Sequence, residues 1–235
     1  MSEHNLTNLK QECCVCGHLA KTERDHVPPR SWFPAAVTYE LLTVPVCRKC
    51  NKSWEGDSEY MRAVLNVDHR TERNEVVLEI QAKVIRSFAR HRQTGPTGDI
   101  VKSMREIDLM SPAGVYLGRT GAFDPNMDRL DHVCGQIVRR LYWVHAHTRL
   151  PDTHGVGVYV AAAFTPKSQE QYENVARLFA IAQAGGNLSY GDVFSYDHRL
   201  ERDGLSAWSL NFYGAFPVVA VTIRKTDALT TRQLW

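Results

Sequence analysis

An α+β fold is what this sequence predicts, and three observations predict it. Apolar residues recur at helical spacing in three well-separated stretches, whereas other stretches alternate or run apolar in short segments rich in Val, Phe, Tyr and Trp. The two kinds are interleaved without the regular strand–helix alternation of a parallel sheet. Five of the six cysteines fall in the first 66 residues, which marks off a compact segment of its own kind.

The elements follow in order. A short helix is predicted over 59–66, with Asp57, Ser58 and Glu59 as its solvated first turn. From 72 to 91 the positions Val76, Val77, Ile80, Val84, Ile85 and Phe88 form one apolar stripe, and Arg73, Lys83, Arg86, Arg90 and Arg92 lie largely off it. The run HRQTGPTGD (91–99) ends that helix with Gly and Pro and reads as a linker. A strand is expected over 113–117 and a helix over 128–147, with Leu130, Val133, Ile137, Leu141 and Val144 facing inward. The longest apolar run, 156–164, reads as a buried strand, and 168–184 as a third helix. Three strands close the chain: DVFSY, SAWSLNFY and FPVVAVTI. The units predicted are 1–68, a connecting helix and linker over 69–98, and a mixed helix and antiparallel-sheet domain over 99–235.

Composition narrows the class without choosing a function. Of the 235 residues 43% are hydrophobic and 23% charged, as in soluble globular proteins, and the net charge of +2 is too small to advertise a nucleic-acid binder. No stretch approaches the roughly 20 apolar residues needed to cross a bilayer, and the polar start MSEHNLTNLKQE has no secretory signal core. The expectation is a cytoplasmic protein without membrane partners. In a reducing compartment close cysteine pairs indicate metal rather than disulfides.

Two such pairs stand out. Cys13 and Cys16, and Cys47 and Cys50, are C-x2-C pairs thirty residues apart, and Gly17 follows the first. Two residues between thiols let a tight turn aim both sulfurs at one ion, and two pairs supply the four soft ligands of a tetrahedral structural zinc. Cys14 makes the first pair ambiguous; the spacing selects Cys13 and Cys16. Cys14 and Cys134 read as ordinary thiols.

Between the pairs lies Arg24-Asp25-His26-Val27-Pro28-Pro29-Arg30, and Asn51 directly follows the second. This ordered set, C-x2-C, D-H-x-x-P, then C-x2-C followed at once by His or Asn, resembles the HNH (ββα-metal) nuclease family over residues 13–65. The resemblance implies a treble-clef-like zinc module in which Asp25 and Asn51 bind a catalytic divalent metal, Mg²⁺ or Mn²⁺, and His26 is the general base, making catalytic residues of His26, Asp25 and Asn51. The residue chemistry agrees, since a carboxylate and an amide oxygen are hard ligands and an imidazole accepts a proton near neutral pH. Glu55 or Asp57 is a candidate further ligand. The chain departs from the family pattern over 41–46, LLTVPV, where many members carry an Asn; Thr43 or a backbone carbonyl would then orient His26. Arg30, Arg48, Lys49 and Lys52 are candidate phosphate contacts.

The second half offers less chemistry. His132, His145, His147, His154 and His198 fit no ligand spacing, His145-Ala146-His147 being a candidate metal pair at a helix end. Trp143, Trp208, Tyr190, Tyr196, Phe212 and Tyr213 are expected in the core. The VFSYDHRL and SAWSLNFYGAFPVVAVTI segments resemble the C-terminal part of bacterial HNH-containing proteins, a likeness that implies no activity. The function expected is an endonuclease acting on phosphodiester bonds, DNA in preference to RNA, with residues 110–235 selecting substrate, pairing copies of the chain or holding a protein partner. The rival is a zinc-stabilised nucleic-acid- or protein-binding module without catalysis.

Overall fold

The structure, a computed structural model, describes residues 10–36, 39–90, 95, 98–161 and 168–227, except the side chains of 83 and 87–90. The expected linker 91–99, the end of the expected strand at 162–164 and Phe88 of the expected stripe therefore lie wholly or partly outside the described residues.

The α+β class holds. Three strands, β1 (Lys10–Glu12), β2 (Leu19–Val27) and β3 (Leu42–Cys47), form an antiparallel sheet in that order. The chain then turns directly into α1 (Arg48–Lys52) and α2 (Glu55–Val67). The second helix begins four residues before the predicted start. Its charged first turn, Glu55 to Asp57, looks like loop in sequence, yet two carboxylates suit a helix N-terminus and buried Trp54 holds the entry.

Helix α3 (Glu75–Arg90) starts where the side chain of Asn74 accepts from the amides of Val76 and Val77. Val77, Ile80 and Val84 of its predicted stripe are buried, whereas Ile85 is exposed. After α4 (Gly98–Ser103) comes a ribbon, β4 (Arg105–Met110) and β5 (Tyr116–Ala122). β4 escaped the sequence reading because it is exposed on both faces and carries no alternation.

The long helix α5 (Met127–Ala146) is capped by Asn126, which accepts from the amide of Arg129, and stops at His147 in the left-handed conformation. Its predicted inward positions Leu130, Val133, Ile137 and Leu141 are fully buried. Then follow β6 (His154–Val160), α6 (Gln169–Gln183), β7 (Gly186–Tyr190), β8 (Phe194–Leu200), β9 (Ser206–Phe212) and β10 (Phe216–Arg224). The last five strands make one antiparallel sheet, order β6-β10-β9-β8-β7.

That sheet is covered on both faces, which explains why β10 reads as nearly continuous apolar sequence. Trp208, Leu210, Phe212, Val218 and Ala220 face the main core with α5, and Ala207, Val219 and Val221 face α6. The main core is continuous from Cys13 to Ala220, so the segments predicted as separate units share one interior. Polar ties cross it as well: the Tyr213 hydroxyl donates to the carbonyl of Trp32 (2.9 Å), and the amide of Leu42 donates to the Tyr190 hydroxyl (2.9 Å).

Candidate metal centre and adjoining cleft

The first cysteine pair sits in the turn between β1 and β2. The amide of Gly17 donates to the carbonyl of Cys13 (2.9 Å), and that of Cys13 to the carbonyl of His18 (3.1 Å). The second pair straddles a strand-to-helix junction, Cys47 ending β3 and Cys50 lying in α1. The amide of Cys14 donates to the carbonyl of Pro45 (2.9 Å), which stitches the first turn to the strand carrying the second pair.

The result is one cluster. The sulfurs of Cys13, Cys16, Cys47 and Cys50 all lie within 4.8 Å of one another, with Cys16 and Cys47 at 3.8 Å. Four thiolates around zinc at Zn–S about 2.3 Å stand roughly 3.8 Å apart, so this donor set fits a metal such as zinc. Cys14 is buried outside the cluster, as is Cys134, and the ambiguity in the first pair is resolved in favour of the C-x2-C spacing.

The electrostatics agree. Burial pushes the Cys13 thiol up, but backbone amides, first that of Cys47 at 3.3 Å, outweigh it and bring the group down to about 7. Burial and neighbouring sulfurs push Cys50 up, and burial raises Cys16. Without a cation, one thiolate would resist the next; a cation held by Cys13, Cys16, Cys47 and Cys50 would remove that conflict by favouring the thiolate form of each.

Beside the cluster opens a cleft of about 570 Å³. β2 contributes Glu23 and Asp25, α1 Arg48, Asn51 and Lys52, and α2 Glu55, Ser58, Glu59 and Arg62, with Trp54 between the helices. Asp25 and Asn51, far apart in sequence, thus meet in one cleft. Each has one end tied. Asp25 Oδ2 accepts from Arg140 Nε at 2.9 Å, and Asn51 Nδ2 donates to Glu23 Oε2 at 2.9 Å. Neither Asp25 Oδ1 nor Asn51 Oδ1 takes a hydrogen bond from a described residue.

His26 is placed differently. β2 pairs with β3 in unbroken register, Asp25 opposite Val44 and His26 opposite Thr43. Successive side chains of a strand alternate, so Glu23 and Asp25 share the cleft face, whereas His26 belongs with Arg24 and Thr43 on the other. His26 is not among the residues lining the cleft. The Thr43 hydroxyl accepts from Arg24 Nη2 (3.2 Å) rather than serving the histidine.

Of the two candidate further ligands, Glu55 lines the cleft and Asp57 does not. Asp57 faces α5, where it accepts from Arg129 Nε (2.7 Å) and pairs with His132 Nδ1 (2.7 Å). Burial raises its carboxyl, but those two partners outweigh burial and hold it below its ordinary value. Among the expected phosphate contacts, Arg48 and Lys52 reach the cleft; Lys49 does not line it, and Arg30 donates to the carbonyls of Pro34 and Ala35. The candidate pair His145 and His147 joins no metal-ligating group. His145 instead stacks on His198 (ring centroids 3.7 Å) and bonds the Tyr196 hydroxyl (2.9 Å). Among the described residues the four cysteines are the one group of three or more His, Cys, Asp or Glu side chains close enough to hold an ion.

Glu23, Trp54, Arg62 and Arg140 escaped the sequence reading. Glu23 was findable, because two residues before Asp25 in a strand means the same face. Arg62 follows Glu55 and Glu59 at helical spacing. Nothing local announces Arg140, which comes from α5. No protein-family model, no curated protein and no solved structure matches this chain.

Proposed function

We propose that the chain is a metal-dependent endonuclease whose four-cysteine centre holds a structural zinc and whose cleft takes the phosphate backbone of nucleic acid, DNA in preference to RNA. The single observation that best supports this reading is that Asp25 and Asn51 line one cleft, each with one side-chain atom tied, to Arg140 and to Glu23, and with an Oδ1 that takes no hydrogen bond from the described residues. Hard oxygen donors of this kind suit Mg²⁺ or Mn²⁺. Such a cation, when bound, stabilises charge on the scissile phosphate and on the departing oxygen.

The chain's own groups do the rest. Asp25 and Asn51 bind and orient the cation, with Glu55 at the cleft wall as a further oxygen donor. Arg48, Lys52 and Arg62 offset phosphate charge on either side. His26 takes the proton of the attacking water as one P–O ester bond breaks. To do so its imidazole has to come round the end of β2, which stops at Val27, because the regular strand places it opposite Asp25.

That placement favours a second reading, a zinc-stabilised binding module without catalysis. The two readings separate in a plasmid-nicking assay with Mg²⁺ or Mn²⁺, run on wild type, Asp25→Asn and His26→Ala with zinc content verified. The nuclease reading expects cutting by wild type and a loss of at least about 100-fold in both variants, the low end for removal of a general base. DNA retention without cutting by any of the three establishes the binding module. Wild-type cutting by His26→Ala beside a dead Asp25→Asn takes the base away from His26.

A further inference from the structure

We infer that Arg140 is the positioning residue of the cleft: from α5 it holds Asp25 Oδ2 so that Oδ1 is presented to a divalent cation. The inference rests on the reading of the cleft as a metal site.

Arg140 is fully buried, and its guanidinium works entirely inside the protein. Nε donates to Asp25 Oδ2 at 2.9 Å; Nη1 donates to the backbone carbonyl of Gln136 at 3.0 Å and to its Oε1 at 2.8 Å. The guanidinium carbon lies 4.1 Å over the ring of Trp54, which itself lines the cleft. A helix carbonyl, a side-chain amide and an aromatic face therefore fix the guanidinium plane, and the plane fixes the carboxylate it binds.

A buried cation is costly unless paired, and Asp25 is the carboxylate that pairs with it. Yet Nη2 is buried with no acceptor among the described residues. Packing would be better served by an apolar residue here than by a guanidinium with an orphaned donor. The arrangement makes sense if its purpose is the orientation of Asp25, since carboxylates that ligate metals are themselves held by outer hydrogen bonds.

The test is Mn²⁺ titration of the full, zinc-loaded chain, read by loss of the free-ion EPR signal, for wild type, Asp25→Asn, Arg140→Lys and Gln136→Ala. Lysine keeps the charge and loses the planar fork. The expected results are loss of the site in Asp25→Asn, a roughly 10- to 100-fold weaker Kd in Arg140→Lys, and a smaller weakening in Gln136→Ala, with zinc content and helicity unchanged. Wild-type Mn²⁺ affinity in Asp25→Asn would overturn the metal-site reading and this inference together. Loss in Asp25→Asn with wild-type affinity in both Arg140→Lys and Gln136→Ala would leave the metal site standing and reduce Arg140 to a counter-ion. Should Arg140→Lys fail to fold, Gln136→Ala, at a half-buried position, decides by the same criterion.

Discussion

Gly17 follows Cys16 with φ +74°, a backbone conformation that costs an L side chain about 1–2 kcal/mol. A β-carbon there would also meet Arg149 Nε at 2.7 Å. Gly17→Ala should therefore lower stability by about 1–2 kcal/mol, or roughly 2–8 °C in Tm for a chain of this size, measured on zinc-loaded protein. An unchanged Tm would mean that the turn can rearrange. At this scale the sequence was most informative where ligands are close in the chain. The two C-x2-C pairs, with Gly17 after the first, were legible because a short turn has few solutions. That Asp25 and Asn51 share a cleft was legible through an ordered motif. The placement of His26 away from that cleft was not, because strand alternation puts neighbours on opposite faces and a motif does not say which face the cleft takes. Arg140 was not legible at all; 115 residues separate it from Asp25, and nothing in its neighbours records that contact.

α5 organises the elements. Its apolar face packs on the five-stranded sheet, and its polar face carries Arg129, His132, Gln136 and Arg140 at spacings of three and four toward α2 and β2. The apolar stripe was evident in sequence; the polar ladder looked like ordinary solvated surface. Where α5 ends, His145 stacks on His198, and burial first, then the nearby His198, pushes His145 down to about 4 from its ordinary 6.5. The folded protein then binds fewer protons than the unfolded chain between those values. Stability contributed by a neutral His145 is complete above about 6.5 and is lost as pH falls toward 4, by at most about 1.4 kcal/mol per pH unit. Because the thiolates also protonate in acid, the measurement is the difference in denaturant stability between wild type and His145→Gln from pH 7 to 4. The gap should narrow with acidification; a constant gap would place His145 in contact with solvent. β4 and β7 show the limit of pattern reading among elements, the first exposed on both faces and the second only five residues of GNLSY.

One main core, in which the cysteine-rich segment and the C-terminal sheet bury side chains against each other, dominates the described residues, with two smaller clusters between the sheet and α6. Mixed helix and antiparallel strand could be foreseen, since periodicity reports each element; the sharing of one core could not, because it depends on contacts such as Tyr213 with Trp32 across the length of the chain. No described helix is long and apolar enough to cross a membrane. One consequence concerns the cleft. Its walls come from β2, α1 and α2, and α1 also carries Cys50 of the four-cysteine cluster, so the proposed function expects two metals of different chemistry, one on sulfur and one on oxygen. Crystals of the chain grown with Zn²⁺ and Mn²⁺, with anomalous scattering collected at each edge, test this directly. One zinc peak is expected among the sulfurs of Cys13, Cys16, Cys47 and Cys50, and one manganese peak touching the oxygens of Asp25 and Asn51. Zinc at the cysteines with no manganese in the cleft, Asp25 remaining paired with Arg140 alone, would contradict the proposed function.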